Sequence, residues 1–308
     1  MKKLLTLLGC VVLAIALFST SCDKSSDGGN EPEEEQSTDP KPEDNTKIPV
    51  NLSFGVMVSE TKVTDNAFEN GDQVGLYMSY GALQNVGNHI DNQRFSLSSG
   101  AWTTDNDIFW TDDITSADFY AYCPYGSPTY VSEYDFVVNT NQASMVNYKS
   151  SDFLWGRHLS VTPSKDLIGI NMAHILSTFI VVLRAGEGFT AEEFVAANKS
   201  VTFCGLKNIA RIDLTNGNVS ATGDPVQIVP YDTGNEYRAI VVPQTTNSMN
   251  PLLAITVSGV SFSLSQNITF QSRTQHTLTV QVDKTTAGIS LTIDGWNTDP
   301  NDYTGIAK

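Results

Sequence analysis

Histidine and cysteine are scarce in this sequence, which limits the metal and disulfide chemistry open to the chain. The four histidines form neither H-x-x-x-H nor H-E-x-x-H, the spacings that helical zinc sites use. Two of the four cysteines, Cys10 and Cys22, fall within the first 22 residues. The other two, Cys123 and Cys204, are too far apart for a disulfide framework or a metal-ligand spacing. We expect two buried thiols in strands, with a single bridge between them as the less favoured alternative.

Motifs of nucleophilic catalysis and of nucleotide or calcium binding are also missing. The sequence has no G-x-S-x-G elbow and no glycine-rich loop between a strand and a helix. The acidic stretches at 105–107 and 294–302 lack the EF-hand spacing and its distal glutamate. We therefore expect no metal, no cofactor and no enzymatic activity. A lipid-anchored hydrolase with converging carboxylates stays open, because sequence spacing cannot place the 34 acidic residues in space.

Basic residues are outnumbered in this chain. Eighteen lysines and arginines face 34 aspartates and glutamates, which gives a formal net charge of −16. Nucleic-acid binding needs lysine and arginine against phosphate, so the charge argues against a nucleic-acid partner. The same sign opposes peripheral docking on anionic lipid. Solubility beside a membrane is the simplest interpretation.

No apolar run in the sequence reaches the roughly 20 residues that a transmembrane helix needs. The most apolar segment, 4–18, follows two lysines and ends at small residues, the layout of a secretory signal. Ser21 followed by Cys22 resembles the lipobox of bacterial lipoproteins, although Ser19 replaces the commonest leucine. We predict a signal peptide over residues 1–21 and a lipid on Cys22 that anchors the chain. An ordinary secreted protein cut near Ser21 is the alternative.

Residues 22–47 have the composition of a tether. After Cys22 they contain no large apolar side chain and are rich in proline, glycine, serine and acidic residues. Nothing in such a segment offsets the entropy lost on ordering, so we expect an extended spacer. Asp23 and Asp27 resemble the surface-export signals of Bacteroidetes lipoproteins. The expected location is therefore the outer membrane at the cell surface.

The remaining residues, 48–308, alternate between apolar and polar positions, the two-residue period of half-buried strands. The alternating segments are 50–58, 74–80, 117–125, 134–138, 175–183, 201–209, 238–242, 253–257, 277–282 and 289–293. Turn-forming residues separate them at 69–72, 216–218, 222–225 and 232–235. Many short strands at such intervals predict an all-β sandwich fold. The length of about 260 residues suits two domains, which we place at 48–165 and 166–308.

One segment has helical features. Thr190 and Glu193 occupy the N-cap and N3 positions of a capping box ahead of Phe194. Asn198 can end the helix after about two turns. We expect a connector between strands that carries no chemistry.

Aromatic residues are most concentrated between positions 109 and 155. They are Phe109, Trp110, Phe119, Tyr120, Tyr122, Tyr125, Tyr130, Tyr134, Phe136, Phe153 and Trp155. On alternating strands such rings favour a sandwich core, because each buries a large apolar area. On one exposed plane they would stack on sugar rings, so a surface glycan-binding lipoprotein is the alternative function. His174, inside an apolar segment, is predicted to be a hydrogen-bonded strand histidine.

Several motifs occur in a characteristic order along the body of the chain. They are 54–62, 68–77, 108–110, 117–125, 172–177, 237–244 and Trp296. Together they resemble the Bacteroidales fimbrillin-like family. The resemblance implies two tandem transthyretin-like antiparallel β-sandwich domains. It also implies a structural or adhesive lipoprotein, a fimbrial subunit that contacts other subunits by β-strand addition and can meet a host or glycan receptor.

The resemblance further implies a proteolytic step. Stalk members of the family are cut after a basic residue behind the first strand, and a neighbour's strand then fills the groove. The matching residue here is Lys62, where stalk subunits cut by an Arg-specific protease carry arginine. A donor strand needs apolar residues at alternate positions, which Ile289, Leu291 and Ile293 provide and the polar residues 297–308 do not. Stalk, tip and anchor roles all stay open.

Overall fold

The computed structural model describes residues 47–57, 67–234 and 236–299, which belong to one compact unit. For residues 294–299 only the backbone is described. The predicted signal peptide, the lipidation site Cys22, nearly all of the tether and the processing site Lys62 lie outside the described residues. The fold is nearly all β, which confirms the fold class that the alternation predicts.

Seventeen strands and two short helices make up the described part of the chain. The strands are β1 (Asn51–Val56), β2 (Gln73–Ser79), β3 (Ile90–Ser98), β4 (Ala101–Thr104), β5 (Ala117–Cys123), β6 (Tyr134–Val137), β7 (Leu154–Val161), β8 (Leu167–His174), β9 (Ser177–Ala185), β10 (Lys199–Asp213), β11 (Asn218–Ile228), β12 (Tyr231–Asp232), β13 (Glu236–Val241), β14 (Leu253–Val257), β15 (Val260–Leu264), β16 (Gln275–Thr285) and β17 (Gly288–Asp299). The helices are α1 (Met145–Lys149) and α2 (Ala191–Ala196). The strands form three sheets.

The first sheet has seven strands in the order β1-β8-β7-β5-β2-β3-β4. Its neighbours are antiparallel except β1 and β8, which run parallel. The two edges of the sheet approach each other, because the Phe54 ring of β1 lies edge-on to the Trp102 ring of β4 with centroids 5.1 Å apart. The Trp102 Nε1–H also donates to the Phe54 carbonyl oxygen at 3.3 Å. The sheet therefore curls around its own apolar core.

The central strands of this sheet are buried on both faces. In β5, Phe119 and Cys123 enter the core inside the curled sheet, whereas Tyr120 and Tyr122 enter a second, middle core. Tyr122 stacks on Phe153 in that middle core, with centroids 5.8 Å apart. Burial on both faces explains the dense aromatic residues between 109 and 155, because rings fill both layers.

The other two sheets pack face to face as a sandwich. One has the order β11-β10-β14-β15 with β6 added on β10, and the other has the order β12-β13-β9-β16-β17. Their inner faces share a third core that contains Phe179, Phe203 and Phe270. The Phe179 and Phe203 rings lie 4.5 Å apart at their centroids. Apolar residues at every second position of these strands point toward the opposite sheet, so the inner faces of the two sheets are buried.

The middle core joins the seven-stranded sheet to the sandwich. β6 comes from the first half of the chain and pairs with β10, with Phe136 opposite Ala210. The Trp155 Nε1–H of β7 donates to the Leu214 carbonyl oxygen at 2.8 Å. β8 follows the predicted boundary and pairs with β1 and β7. The division into 48–165 and 166–308 stays a prediction.

The sequence predicts α2 but not α1. In α2 the Glu193 N–H donates to Thr190 Oγ1 and the Thr190 N–H donates to the Glu193 carboxylate, both at 3.2 Å, which confirms the capping box. α1 spans five residues, which is too short to show a helical period, and Ser144 caps it by accepting from the Asn147 N–H.

The chain reversal predicted at 222–225 is wrong. These residues lie inside β11, where the pairing shifts from Ile209 opposite Thr222 to Lys207 opposite Pro225. Gly223 has a φ of +80°, which glycine adopts readily and which lets the extra residues bulge out of the ladder. The glycine there serves a β-bulge, so one long strand continues where the composition suggests a turn.

Candidate functional site

β1 is an edge strand that is hydrogen-bonded along one side by β8. The pairing runs in register from Asn51 opposite Leu167 to Val56 opposite Met172. The Met57 N–H extends it by donating to the Met172 carbonyl oxygen at 2.8 Å. Among the described strands, β8 alone pairs with β1. Residues just before β1 bond elsewhere, because the Val50 N–H donates to the Ile108 carbonyl oxygen at 2.8 Å.

The apolar side chains of β1 enter the core of the curled sheet. Phe54 is 6% exposed, and its ring lies 5.2 Å from that of Phe95 and 5.1 Å from that of Trp102. The residues of β8 opposite Leu52, Phe54 and Val56 are all buried apolar residues. They are Ile168, Ile170 and Met172. The apolar residues of β1 thus lie directly beside a row of buried apolar residues on β8.

Gly55 is a position of β1 where a side chain would meet the side chain of an exposed residue on β8. It pairs with Asn171 of β8, and a Cβ at Gly55 would lie 2.8 Å from Asn171 Oδ1. Any side chain there would require Asn171 to move. The groove therefore favours glycine or a small residue at this place.

The C-terminal end of β1 borders a cavity of about 390 Å³. Val56 forms part of its wall, together with residues of α1 and of segment 67–72. The ends of β5, β7 and β8 and residues of β9, β13 and β16 complete it. Phe68, Leu176 and Ile240 supply apolar surface. The groove that holds β1 is continuous with this cavity.

The cavity brings together Cys123, His174 and Asp152, a combination that nucleophilic enzymes use. Burial raises the pKa of the Cys123 thiol far above its ordinary value, so the thiol stays protonated at neutral pH and is a poor nucleophile. His174 on β8 pairs with Asp152, as a hydrogen-bonded strand histidine should. Glu69 pairs with Lys149 at 2.6 Å. Two of the cavity's carboxylates, Asp152 and Glu69, thus each pair with another side chain rather than with each other, unlike the two carboxylates of a glycoside hydrolase.

Arg238 of β13 lines the same cavity. Its Nη2 pairs with the Glu236 carboxylate. Its Nε–H is buried and has no acceptor within the described residues. A buried donor is unfavourable until an acceptor reaches it. The cavity wall therefore includes an arginine that has one buried N–H without an acceptor among the described residues.

β17, the predicted donor strand, is also an edge strand. Among the described strands it pairs with β16 alone. Ile289 and Leu291 pack half-buried against the sandwich core, and Ile293 is 37% exposed. Its apolar residues thus lie at every second position along a free edge. Its role as a donor stays a proposal.

The aromatic residues form core rather than a glycan platform. Trp110, Tyr122 and Trp155 are 4%, 1% and 7% exposed. Tyr130 is 55% exposed, and Tyr125 is half-buried. These rings offer no shared exposed plane, so the core interpretation is confirmed for the cluster as a whole.

The two cysteines of the body are free thiols, so the bridge alternative is wrong. Cys123 is buried as predicted, whereas Cys204 is only half-buried. Within residues 47–57, 67–234 and 236–299, no three histidine, cysteine or carboxylate side chains are grouped as metal ligands. The same residues include no helix with the length and apolar character to cross a membrane.

Similar proteins come from Bacteroides. A Bacteroides uniformis protein described as a candidate fimbrium subunit, Fim1C, is 23% identical over 304 residues, which cover 93% of each chain. The crystal structure of a candidate cell adhesion protein from B. uniformis has a TM-score of 0.63 at 18% identity and covers 86% of this chain and 100% of that one. A similar protein from Bacteroides ovatus has a TM-score of 0.60 at 13% identity, with 82% and 96% covered. These two structures establish the fold alone.

The family comparison covers most of the chain. A family model described as fimbrillin-like matches residues 61–296, from the segment before β2 into β17. The matched range includes strands of all three sheets. This chain belongs to the fimbrillin-like family.

Proposed function

We propose that this chain is a non-enzymatic, structural or adhesive subunit of a cell-surface fimbria that joins its neighbours by β-strand addition in place of β1. The observation that carries the proposal is the position of β1, an edge strand held by a single ladder with its apolar side chains in the core. Family membership and the 23% identity to a candidate fimbrium subunit support the fimbrial role.

Loss of β1 would leave a strand-length groove in the seven-stranded sheet. β8 would present unpaired N–H and C=O groups along residues 167–172. Ile168, Ile170 and Met172 would lose their apolar cover on one side. An extended segment with apolar residues at alternate positions remedies both defects, which is the logic of β-augmentation.

A cut at Lys62 is the proposed trigger. β1 precedes Lys62 in the chain, so the cut would leave β1 held by non-covalent contacts alone. β17 of a neighbouring subunit is the proposed donor, because it is an edge strand with Ile289, Leu291 and Ile293 at alternate positions.

The lipid proposed on Cys22 would place the precursor at the outer membrane. Cys22 also precedes Lys62, so the same cut would free the subunit from its anchor. An uncut chain would stay tethered as an anchor or accessory subunit.

Limited trypsin treatment of the full chain tests the assembly step. We expect cleavage near Lys62, mapped by mass spectrometry, to be followed by polymers in electron micrographs, because the nicked chain opens a groove and carries a donor. Lys62→Ala should stay monomeric. Lys165→Ala, which removes a lysine between β7 and β8, is the matched control and should polymerise like the wild type.

Two results would contradict the proposal. One is a chain that is nicked near Lys62, releases β1 and still remains monomeric. The other is a cell in which Lys62→Ala leaves the surface fibres unchanged.

A further inference from the structure

We propose that the edge strand β15 pairs antiparallel with the same strand of a second copy of this chain, across a surface that has no charged side chains. The contact goes beyond strand addition at β1, because it joins two complete subunits side by side. In a fimbria it would link subunits of neighbouring fibres.

The distribution of charge along the chain singles out this surface. Residues 239–272 contain no aspartate, glutamate, lysine, arginine or histidine, and the next longest stretch without them is 4–22 in the predicted signal peptide. The whole chain has a formal net charge of −16. Two copies therefore repel each other over most of their surfaces. The uncharged stretch is where a second copy can approach with the least repulsion.

This stretch folds onto one edge of the sandwich. β14 and β15 form a hairpin there, and among the described strands β15 pairs with β14 alone. The segments on either side of the hairpin lie together, because backbone hydrogen bonds join 244–246 to 268–270. Residues that are far apart in the stretch thus form one continuous uncharged surface beside the free edge of β15.

The charged residues that border this surface on β10 are lysines. Lys199 lies opposite Val257 of β14, and the Lys207 backbone N–H donates to Gln244 Oε1 at 2.9 Å. Their charge is opposite in sign to the net charge of the chain. They therefore do not add to the repulsion of an acidic second copy.

β15 lacks the features with which edge strands avoid pairing. The strands at the other ends of the two sandwich sheets, β11, β12 and β17, each contain aspartate, and β11 also has Pro225 and a bulge. β15 contains no charged residue and no proline, and its pairing with β14 is regular. Val260 at its start is 41% exposed, so pairing there would also cover apolar surface.

The backbone of β15 offers the groups of two residues to a partner. The Leu264 carbonyl oxygen accepts from the Leu252 N–H of the hairpin, so alternation turns the N–H and C=O groups of Ser261 and Ser263 outward. Two copies related by a two-fold axis use all of these groups when Ser261 of each lies opposite Ser263 of the other. Other antiparallel registers bring in residues outside the strand.

One such contact is weak by itself. Two five-residue strands should bury less than the roughly 1,200 Å² of a stable interface, so we expect a dissociation constant on the order of 0.1–1 mM. Single chains are then monomers at the micromolar concentrations of the trypsin experiment. A fibre would repeat the contact at every subunit, and repeated contacts strengthen one another. β15 lies in a different sheet from β1 and from β17, so strand addition leaves it free.

Sedimentation velocity of the uncut chain tests the contact. Residues 23–308 keep the whole compact unit and omit the predicted signal and lipid site, and β1 still fills its own groove. We expect reversible self-association between about 10 μM and about 1 mM. Ser263→Lys should abolish it, because a lysine on an edge strand opposes pairing. Ser220→Lys on β11, at the opposite edge of the same sheet, makes the same change of charge and should associate like the wild type.

Hydrogen exchange of the wild type locates the contact without a variant. The amides of Ser261 and Ser263 should exchange more slowly in a concentrated sample than in a dilute one, whereas the amide of Ser220 should not change. Added salt should strengthen the association, because it screens the repulsion between two acidic chains.

Three results would overturn the β15 contact. They are a wild type that stays monomeric over the whole range, an association that Ser263→Lys leaves unchanged, and an association that weakens with salt, which would show that opposite charges hold the copies together. None of these measurements depends on cleavage at Lys62. Strand addition is judged separately, by whether cut chains polymerise.

Discussion

Burial of single side chains sets protonation states in this protein, and His276 on β16 shows it most clearly. The residue is 1% exposed, and its Nε2 accepts from the Gln271 N–H at 3.0 Å. Desolvation lowers the pKa of His276 to about 4 from its ordinary value of 6.5. The folded protein therefore holds a neutral imidazole where the unfolded chain binds a proton.

We predict that stability falls as the pH drops from 6.5 to about 4. In that window the unfolded chain gains a proton on His276 and the folded chain does not. The stabilisation that comes from the neutral His276 is therefore fully present above pH 6.5 and is lost as the pH falls. The free energy of unfolding should fall by about 3 kcal/mol, because one proton binds to the unfolded chain and not to the folded one. Urea unfolding of the wild type and His276→Gln across this range measures it, because glutamine can accept from Gln271 without titrating.

The difference between the two pH profiles is the informative quantity, since carboxylates titrate in both proteins. The same substitution at the exposed His89 serves as the matched control. Identical profiles for wild type and His276→Gln would show that His276 contributes nothing to the pH dependence.

Single residues differ in how far the sequence predicts them. The buried state of Cys123 and Phe119 follows from alternation around them. The surroundings of Arg238 do not, because the cavity walls come from α1, β8, β9 and other segments distant in the chain. Cys204 was predicted buried and is half-buried, since it lies beside Phe203, whose ring takes the core-facing position on β10.

At the scale of elements, alternation identifies strands that have one strongly apolar face. β2, β5 and β14 are predicted nearly at their observed limits. β3 is largely polar, with Phe95 as its fully buried residue, so its alternation is weak. β11 is predicted as two segments separated by a turn, because its composition around Gly223 is typical of turns, although the strand continues there through a β-bulge.

Strand pairing is harder to predict than strand existence. β1 pairs with β8, more than one hundred residues later in the chain, and the pairing is parallel. The local sequence does not specify that partner. Alternation predicts which side chains of a strand face the core, but it does not predict which strand lies next to it. The edge position of β1, on which the proposed function depends, therefore had to be observed.

We predict that Phe54→Ala loosens β1 as a unit. Truncating a buried phenylalanine costs about 3–5 kcal/mol in a core, and here the loss falls on an edge strand with a single ladder. Hydrogen exchange should accelerate at the amides of β1 and at those of β8 that bond to it, while β16 keeps its protection. Ser53→Ala, on the opposite face of β1, is the control.

A uniform rise in exchange across all sheets after Phe54→Ala would mean that β1 unfolds only with the whole molecule. That outcome would argue against β1 as a replaceable strand.

At the scale of the whole molecule, the sequence predicts an all-β surface protein with two domains, at 48–165 and 166–308, and that division stays a prediction. The middle core contains Tyr77 and Phe136 from before the predicted boundary and Ile212 and Val242 from after it. Such a shared core depends on strands that cross between halves of the chain, and composition does not show them.

The predicted anchor can be tested in cells. Cys22→Ala should move the protein from the membrane fraction to the soluble fraction, because the lipid supplies the apolar contact with the membrane. Metabolic labelling with a radioactive fatty acid should mark the wild type and Cys10→Ala alike and should not mark Cys22→Ala. Membrane retention of an unlabelled Cys22→Ala protein would show that another feature holds the chain there.

The contact between the two edges of the seven-stranded sheet gives the molecule an intrinsic optical reporter. The Trp102 ring lies between the rings of Phe54 and Phe68, with its Nε1–H on the Phe54 carbonyl oxygen. Departure of β1 would remove that acceptor and one of the rings and admit water, so the indole emission should shift to longer wavelength. A strand from a neighbour that refills the groove should shift it back, and Trp102→Phe should abolish the change. The emission wavelength of Trp102 would thus report whether the proposed groove is empty or filled.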